Sequence, residues 1–331
     1  MISRDDQPKL SAIVIAQGSS DDTLRALIRA WSYQTACGKV EIVFVCPSRE
    51  QLRLETLDLD YFASWQVVEI EKFTSTAAAR TAGIHAARAP VIALTEDHCF
   101  PSRQWAQVMI ERHYEEWTGV GPVFFNANPG SVTSWANLLA EYGHWIDLNS
   151  CGEVDHMPGH NSTYKRCALM HYGERLPEVL EAESAMQWDM KTRGHRFYLE
   201  PKAHSHHFNF SRLPPSIVLR FHGGRLFAAN RARQWGVPRR LFYTLASPLI
   251  PVVRFFRCAK AASNVNLSWR RLTIFPVMAL LLGVDALGEM FGYATGSGNA
   301  MQWISGPGEF QRPRFLRKRD QQLFRDWLET G

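Results

Sequence analysis

The chain has 331 residues, enough for one large domain or two modest ones, and 46% of them are hydrophobic, which is sufficient for a core. Charged residues make up 21%, an ordinary share for a globular protein, which argues against a disordered or fibrous chain. The net charge of +5 conceals a division, since residues 212–331 hold 18 Lys and Arg against 6 Asp and Glu, whereas residues 1–211 hold 19 against 26. An acidic first part suits a cation site, and a basic, aromatic second part suits an anionic partner, either membrane lipid or nucleic acid.

The start of the chain and its cysteines give expectations about location. Residues 1–10 are polar and charged, which predicts that there is no signal peptide. The six cysteines show no CxxC spacing, so we expect reduced thiols in a cytosolic protein.

Strand patterns alternate with helical patterns through the first 125 residues. Short runs rich in Val and Ile predict strands at Leu10–Ala16, Val40–Cys46, Trp65–Ile70 and Val91–Thr95, and helical patterns predict helices at Asp21–Tyr33 and Thr76–Arg88. Apolar strands between helices indicate a parallel sheet covered on both faces, and ligands of such sheets bind beyond the carboxyl ends of the strands. The fourth strand therefore points to a site at Thr95–Cys99.

A second group of elements follows up to residue 207. The patterns predict, in order, a strand at Gly119–Asn126, a helix at Trp135–Trp145, a polar loop at Met157–Lys165, a helix at Glu178–Arg193 and a strand at His195–Glu200. Three histidines, His204, His206 and His207, follow the last of these strands. They could complete a metal site, bind phosphate when protonated, or simply be exposed.

The basic part of the chain contains two apolar segments, Leu241–Phe256 and Leu272–Val284, each interrupted by proline. At 16 and 13 residues they are shorter than the roughly 20 that a spanning helix needs. Flanking arginines favour helices that lie in a membrane interface, and a buried helical hairpin is the alternative. The last stretch, Arg312–Arg325, is predicted to be surface helix or disordered.

Glu96-Asp97-His98 stands where the predicted sheet geometry places a site. Two carboxylates and an imidazole suit Mn²⁺ or Mg²⁺, and in an extended segment Glu96 and His98 would point the same way. The alternative is a solvated acidic loop. The ligand types also suit a zinc hydrolase, although the sequence has no HExxH motif.

Glu183 shares a predicted helix face with Met186 and Met190, and a carboxylate on an apolar stripe suits a general base. A helix-surface carboxylate is the alternative. Arg80, in the first turn of an alanine-rich helix, could bind a phosphate together with the helix N-terminus, or be solvated. The loop 159–161 could line an acceptor pocket.

In their order these segments resemble the family 2 glycosyltransferases. The resemblance covers roughly residues 10–210 and is carried by Ser11–Ile15, Thr76–Gly83 (TAAARTAG), Val91–Pro101 (VIALTEDHCFP), Gly159–Ala168 (GHNSTYKRCA), Glu181–Gly194 and Tyr198–Asn209. It implies a glycosyltransferase A fold, an α/β fold with a Rossmann-like half and a mostly parallel mixed central sheet.

The resemblance also implies a division of the chain. Residues 1–211 would be the catalytic domain, with residues 1–125 as the nucleotide-sugar half and 126–211 as the acceptor half. Residues 212–331 would be a basic, aromatic helical region that associates with a membrane.

Each candidate residue takes an implied role by its position in the family's motifs. The roles are Glu183 as catalytic base, Arg80, Glu96 and Asp97 as donor contacts, Asp97, His98 and His207 as metal ligands, and His160 and Asn161 as acceptor contacts. The sequence departs from the family at Cys46-Pro47, where two aspartates are usual and the first contacts the nucleobase. Uridine is therefore only the default base.

The implied function is inverting transfer of a sugar from a nucleoside-diphosphate sugar, by default a UDP-sugar, assisted by Mn²⁺ or Mg²⁺. The implied acceptor is a lipid-linked or cell-surface glycan at the cytoplasmic face of the membrane, and no nucleic-acid partner is expected. Two alternatives remain open: an altered sugar-nucleotide-binding protein of the same fold, and a metal-dependent phosphoester hydrolase.

Overall fold

The computed structural model describes residues 7–17, 21–263, 265, 267 and 270–330. The strands are β1 (Leu10–Ile15), β2 (Val40–Cys46), β3 (Ser64–Glu69), β4 (Val91–Leu94), β5 (Cys99–Pro101), β6 (Gly119–Asn126), β7 (Gly152–Val154), β8 (Thr163–Lys165) and β9 (Phe197–His207). The α-helices are α1 (Asp21–Ser32), α2 (Thr76–Ala86), α3 (Trp105–Arg112), α4 (Val132–Tyr142), α5 (Arg166–Met170), α6 (Leu176–Leu180), α7 (Glu183–Thr192), α8 (Leu213–Arg231), α9 (Val237–Ala246), α10 (Ile250–Ser263), α11 (Arg271–Thr295), α12 (Ala300–Trp303) and α13 (Lys318–Thr330).

The strands form one mixed sheet in the order β3-β2-β1-β4-β8-β6-β9-β5, with β7 paired to β9. The pairs β1–β2, β2–β3 and β1–β4 are parallel, whereas β8 is antiparallel to both β4 and β6. The predicted α/β class with a mixed central sheet is confirmed. The change of direction at β8 matters for function because it brings the segment before β8 to the carboxyl end of β4.

The buried strands β1, β2 and β4 are apolar runs, apart from one buried polar group on β1 and one on β2. Glu41 on β2 is fully buried, yet its carboxylate accepts hydrogen bonds from Ser11 Oγ at 2.5 Å, Gln66 Nε2 at 2.8 Å and the Arg88 backbone N–H at 2.8 Å. A buried carboxylate is tolerated when donors surround it in this way.

Two predicted elements are wrong in extent. The helix predicted over Glu178–Arg193 is broken into α6 and α7, and the break at residues 181–182 makes Glu183 the first residue of α7. The strand predicted to end at Glu200 continues as β9 through the histidines to His207, because these residues pair within the sheet. Pairing with neighbouring strands decides the length of β9, and a local pattern does not record such pairing.

The chain forms two compact units. The first comprises residues up to Phe125, Leu148–His206 and the residues from Asp326 on, and the second comprises Asn126–Asp147 and His207–Arg325. The boundary falls inside β6 and inside β9. The expected domain limit near residue 211 and the two expected halves stay predictions.

The second unit has α11 at its centre. Ile274, Met278 and Leu281 on α11 are fully buried. A Cβ added at Gly288 would lie 2.1 Å from the carbonyl oxygen of Phe221 on α8, so the backbones of α8 and α11 touch. The residue at 288 must therefore be glycine for this packing.

The apolar segments of this unit lie in longer helices than predicted. The helical stretches Val237–Ser263 and Arg271–Thr295 have 27 and 25 residues, so both are long and apolar enough to cross a membrane, by length and composition alone. The expectation that both apolar segments are too short to span a membrane was wrong, because the helical structure extends beyond the predicted segments. The prolines are tolerated, those of α9 and α10 lying at or near the helix starts and Pro276 within α11. A buried core helix such as α11 passes the same test of length and composition.

Gly83→Val tests the packing of α2 on the parallel sheet. A Cβ at residue 83 would lie 2.6 Å from Ile13 Cγ2 and 2.9 Å from Val45 Cγ2, so the larger side chain must displace both strands. We expect the free energy of unfolding in urea to fall by about 1–3 kcal/mol. Gly38→Val is the control, since no atom lies within 4 Å of a Cβ there, and an equal loss in that variant would contradict the packing explanation.

Candidate functional site

The predicted triplet Glu96-Asp97-His98 lies in a turn directly after β4, and all three side chains are at most 5% exposed. The expectation of an extended segment was wrong, because the turn folds Asp97 back against His98. Asp97 Oδ1 lies 2.9 Å from His98 Nδ1. A carboxylate oxygen can only accept here, so Nδ1 carries the proton and Nε2 is the nitrogen that presents its lone pair.

Glu96 and His98 present ligand atoms to each other. His98 Nε2 lies 3.8 Å from Glu96 Oε2, which is too long for a hydrogen bond. Two ligands at about 2.1 Å from one octahedral cation are about 3 Å apart when adjacent and about 4 Å apart when opposite. The separation and the types of ligand therefore suit one divalent cation, and Asp97 orients the imidazole.

Asn161 holds Glu96 in place. Its Nδ2 donates to Glu96 Oε2 at 2.5 Å, its Oδ1 accepts from the Glu96 backbone N–H at 3.1 Å, and its own N–H donates to the Leu94 carbonyl at 2.7 Å. Asn161 has a φ of 55°, a left-handed conformation that asparagine tolerates better than most residues. The predicted acceptor contact Asn161 is thus 6% exposed and bound to the triplet.

Glu183, at the start of α7, forms an ion pair with Arg80 of α2. Arg80 Nη1 lies 2.7 Å from Glu183 Oε1, and the two side chains are 2% and 13% exposed. Arg80 lies in the second turn of α2, not the first as predicted. Met186 and Met190, on the same face of α7 as Glu183, are buried, which confirms that this face of the helix is apolar.

His160 lies between these two groups. Arg80 Nη2 is 3.0 Å from His160 Nδ1, and the guanidinium donates to this nitrogen in the tautomer that leaves Nδ1 without a proton. The same nitrogen is 3.3 Å from Glu183 Oε1 and 3.8 Å from Glu96 Oε1, and it forms ion pairs with them when the imidazole is protonated. One imidazole nitrogen is therefore flanked by the carboxylates of both candidate groups.

Gly159 allows this close approach. A Cβ at residue 159 would lie 2.8 Å from Glu183 Cβ and 3.2 Å from its Oε2. Gln187, one turn further along α7, fixes the same loop, since its Oε1 accepts from the Met157 N–H at 2.9 Å and its Nε2 donates to Tyr164 Oη at 2.9 Å. The sequence reasoning missed Gln187, although its position four residues after Glu183 places it on the same side of the helix.

Two buried groups, Cys46 at the end of β2 and Tyr164 on β8, keep their protons. Burial, together with the nearby charge of Glu69, raises the pKa of the Cys46 thiol to about 11. The thiol at this position is therefore neutral at physiological pH and does not replace an aspartate. Burial also raises the pKa of Tyr164, so its hydroxyl remains a neutral partner of Gln187.

His207 is the last residue of β9 and belongs to the second unit. Its Nδ1 lies 2.8 Å from Asn209 Oδ1. The amide of Asn209 is oriented by its Nδ2, which donates to the His207 carbonyl at 3.0 Å and to Asn126 Oδ1 at 3.3 Å. The His207 Nδ1 must therefore donate, and this leaves Nε2 as the nitrogen with the lone pair, as in many metal-binding histidines.

His204 and His206 have other surroundings. His204 Nε2 lies 2.9 Å from the Pro201 carbonyl oxygen. His206 packs against the rings of Phe125 and Trp327, and burial lowers its pKa, with the charge of His204 adding to the effect. Both histidines are accounted for by packing.

Comparisons with known proteins agree with this architecture. No family model and no curated protein matches the chain. Among solved structures, it is similar to the mannosyltransferase PcManGT from Pyrobaculum calidifontis, solved in complex with GDP-Man and Mn²⁺, with 15% identity, a TM-score of 0.50, and coverage of 98% of this chain and 85% of that chain. Residues 1–349 of S. aureus TarS match with 13% identity and a TM-score of 0.45, covering 89% of this chain and 91% of that one. The similarity to PcManGT confirms the predicted glycosyltransferase A fold.

The Arg80–Glu183 pair can be tested by a double-mutant cycle. Removing one partner of a buried ion pair leaves the other without compensation, so we expect Arg80→Met to lower the free energy of unfolding by about 3 kcal/mol. Arg80→Met combined with Glu183→Met should cost less than the sum of the two single changes, by at least about 1 kcal/mol. Additive losses in urea denaturation would show that the two side chains do not depend on each other.

Proposed function

We propose that the chain transfers a sugar from a nucleoside-diphosphate sugar to a hydroxyl acceptor, with inversion at the anomeric carbon. The observation that carries the proposal is the convergence of Glu96 and Glu183 on His160, with His98 beside Glu96, beyond the carboxyl end of β4. The confirmed fold supports it, since a sugar-nucleotide complex is recorded for the similar PcManGT.

Glu183 is the proposed base. In a single displacement its carboxylate takes the proton of the acceptor hydroxyl, whose oxygen attacks the anomeric carbon as the bond to the diphosphate breaks. Arg80 binds Glu183 Oε1 and so fixes the direction in which the carboxylate faces. The expected contact between Arg80 and the diphosphate stays a prediction.

Glu96 and His98 are the proposed core of a Mn²⁺ or Mg²⁺ site, with Asp97 orienting His98. His207 is proposed as a further ligand, because Asn209 leaves its Nε2 as the lone-pair nitrogen. A bound divalent cation would neutralise the charge that develops on the departing diphosphate. Asn161 holds Glu96 in the position that this site requires.

For the donor and the acceptor we propose a chemical class of molecule. PcManGT was solved with GDP-Man, and uridine as the default base has no support here. The neutral, buried Cys46 offers no carboxylate to a nucleobase. His160, whose side chain is 33% exposed, is the proposed acceptor contact, and the contact expected for Asn161 stays a prediction. A lipid-linked or cell-surface glycan at the cytoplasmic face of a membrane is the proposed acceptor.

Glu183→Gln tests the base. The amide keeps the shape of the side chain but cannot accept the proton, so we expect turnover to fall by about 10²- to 10⁴-fold, with donor binding retained. Transfer is measured by mass spectrometry with a panel of sugar nucleotides and a membrane extract as the source of acceptors. Glu181→Gln, two residues earlier, is the matched control and should keep full turnover. Near-normal transfer by Glu183→Gln would refute the assignment of the base.

The cation site can be tested without activity. We expect His98→Ala to weaken Mn²⁺ binding by at least tenfold in electron paramagnetic resonance titrations, and Asp97→Asn to weaken it by about tenfold through loss of orientation. His85→Ala, an exposed histidine on α2, is the control. Unchanged Mn²⁺ affinity in both site variants would remove the cation from the proposal.

A sugar-nucleotide-binding protein without transferase activity is the second candidate, and the neutral Cys46 thiol is the observation that favours it. Calorimetry would show donor binding for a transferase and for a binding protein alike. The two functions differ in whether a glycosylated product forms. A phosphoester hydrolase would instead consume the donor with no acceptor product.

A further inference from the structure

An unusual surface covers one side of α9 and α10 in the second unit. Val237, Leu241, Leu245, Leu249 and Val253 recur every four residues and are between 52% and 77% exposed. Spacings of four residues place side chains along one side of a helix. We call the side formed by these five residues, together with Phe242 and Phe256, the apolar stripe.

Phe242 and Phe256 are the largest side chains of the stripe, and they are 66% and 68% exposed. Scattered exposed apolar residues are ordinary, but a contiguous row with two exposed phenylalanines indicates a surface that meets another apolar phase.

The charges around the stripe have one sign. Residues 213–295 contain eleven Lys and Arg but two acidic residues, Asp285 and Glu289. Both acidic side chains are buried, and Arg254 Nη1 binds them at 2.7 Å and 3.0 Å. The exposed charges of these helices, such as Arg257 and Lys260 on α10, are therefore all positive. Such a surface is complementary to anionic lipid headgroups.

The same ion pairs indicate how α10 lies. Arg254 attaches α10 to α11, and α11 is the core helix of this unit, packed against α8. The side of α10 that faces α11 is therefore covered by protein. Lipid can reach the stripe, whereas the sides of α10 and α11 that pack on each other, and the side of α11 that packs on α8, are closed to it.

We propose that the apolar stripe of α9–α10 lies in the plane of an anionic bilayer surface and docks the protein there without crossing it. This deepens the membrane association in the proposed function and does not depend on sugar transfer. The stripe would enter the boundary between headgroups and acyl chains, and Arg257 and Lys260 would contact anionic phosphates.

Flotation with lipid vesicles tests the docking, using the full chain and measuring the partition coefficient. We expect binding to vesicles of phosphatidylcholine with one quarter phosphatidylglycerol, and at least tenfold weaker binding to phosphatidylcholine alone. Phe242→Ser with Phe256→Ser should lower partition at least tenfold, because two large apolar side chains lose their burial. Arg257→Gln with Lys260→Gln should lower it at least fivefold, on the anionic vesicles alone.

The controls distinguish binding through the apolar stripe from nonspecific adsorption to lipid and from misfolding. Tyr61→Ser removes a 60% exposed aromatic side chain of the first unit and should leave partition unchanged. Circular dichroism checks that each variant is folded. Sugar-nucleotide binding is measured by calorimetry without lipid, so a failure of the proposed function is distinguishable from a failure of docking.

Three results would overturn the proposal. Absence of vesicle binding, or equal binding to neutral and anionic vesicles, would exclude recognition of an anionic surface. Resistance of the membrane-bound protein to extraction at high salt and alkaline pH would show spanning helices. A concentration-dependent dimer in analytical ultracentrifugation, lost in the Phe242→Ser and Phe256→Ser variant, would make a second copy of the chain the occupant.

Discussion

The burial of charged groups at the carboxyl end of β4 is the constraint on which the arrangement of the first unit depends. Glu96 and Asp97 are 4% and 5% exposed, and Arg80 is 2% exposed. Removing such groups from water costs several kcal/mol each unless partners replace the solvent. Each partner must therefore be held in position, and this requirement accounts for the left-handed backbone of Asn161 and the absence of a side chain at residue 159.

The sheet supplies these partners through one change of direction. Because β8 runs antiparallel between β4 and β6, the loop before β8 returns to the carboxyl end of β4. The backbone of this loop forms two hydrogen bonds with Leu94. The Asn161 N–H donates to the Leu94 carbonyl, and the Leu94 N–H donates to the Ser162 carbonyl. If β8 ran parallel to β4, the segment that enters β8 would lie at the opposite edge of the sheet, away from the triplet.

The second unit satisfies its buried charge in a different way. There Arg254 binds both Asp285 and Glu289, and the backbones of α8 and α11 meet at glycines. One side of α11 packs in the core, with Ile274, Met278 and Leu281 fully buried, while its other side exposes Leu272, Leu280, Leu287 and Phe291. The α9–α10 stretch is less buried than α11, at 11% against 44% of the apolar window.

The sequence by itself determined the elements whose pattern is local. The parallel strands up to β4, the helices α1 and α2, the position of the triplet after β4 and the methionine stripe beside Glu183 all follow from periodicity and from the rule for strand ends. Tertiary structure alone decided the length of β9 and the pairing of Arg80 with Glu183, since these depend on contacts between residues up to 103 positions apart. It also decided that Asp97 orients His98 and that Asn161 holds Glu96. A buried hydrogen bond needs a partner of suitable chemistry at 3 Å, and a linear pattern records the chemistry of a residue but not its neighbours.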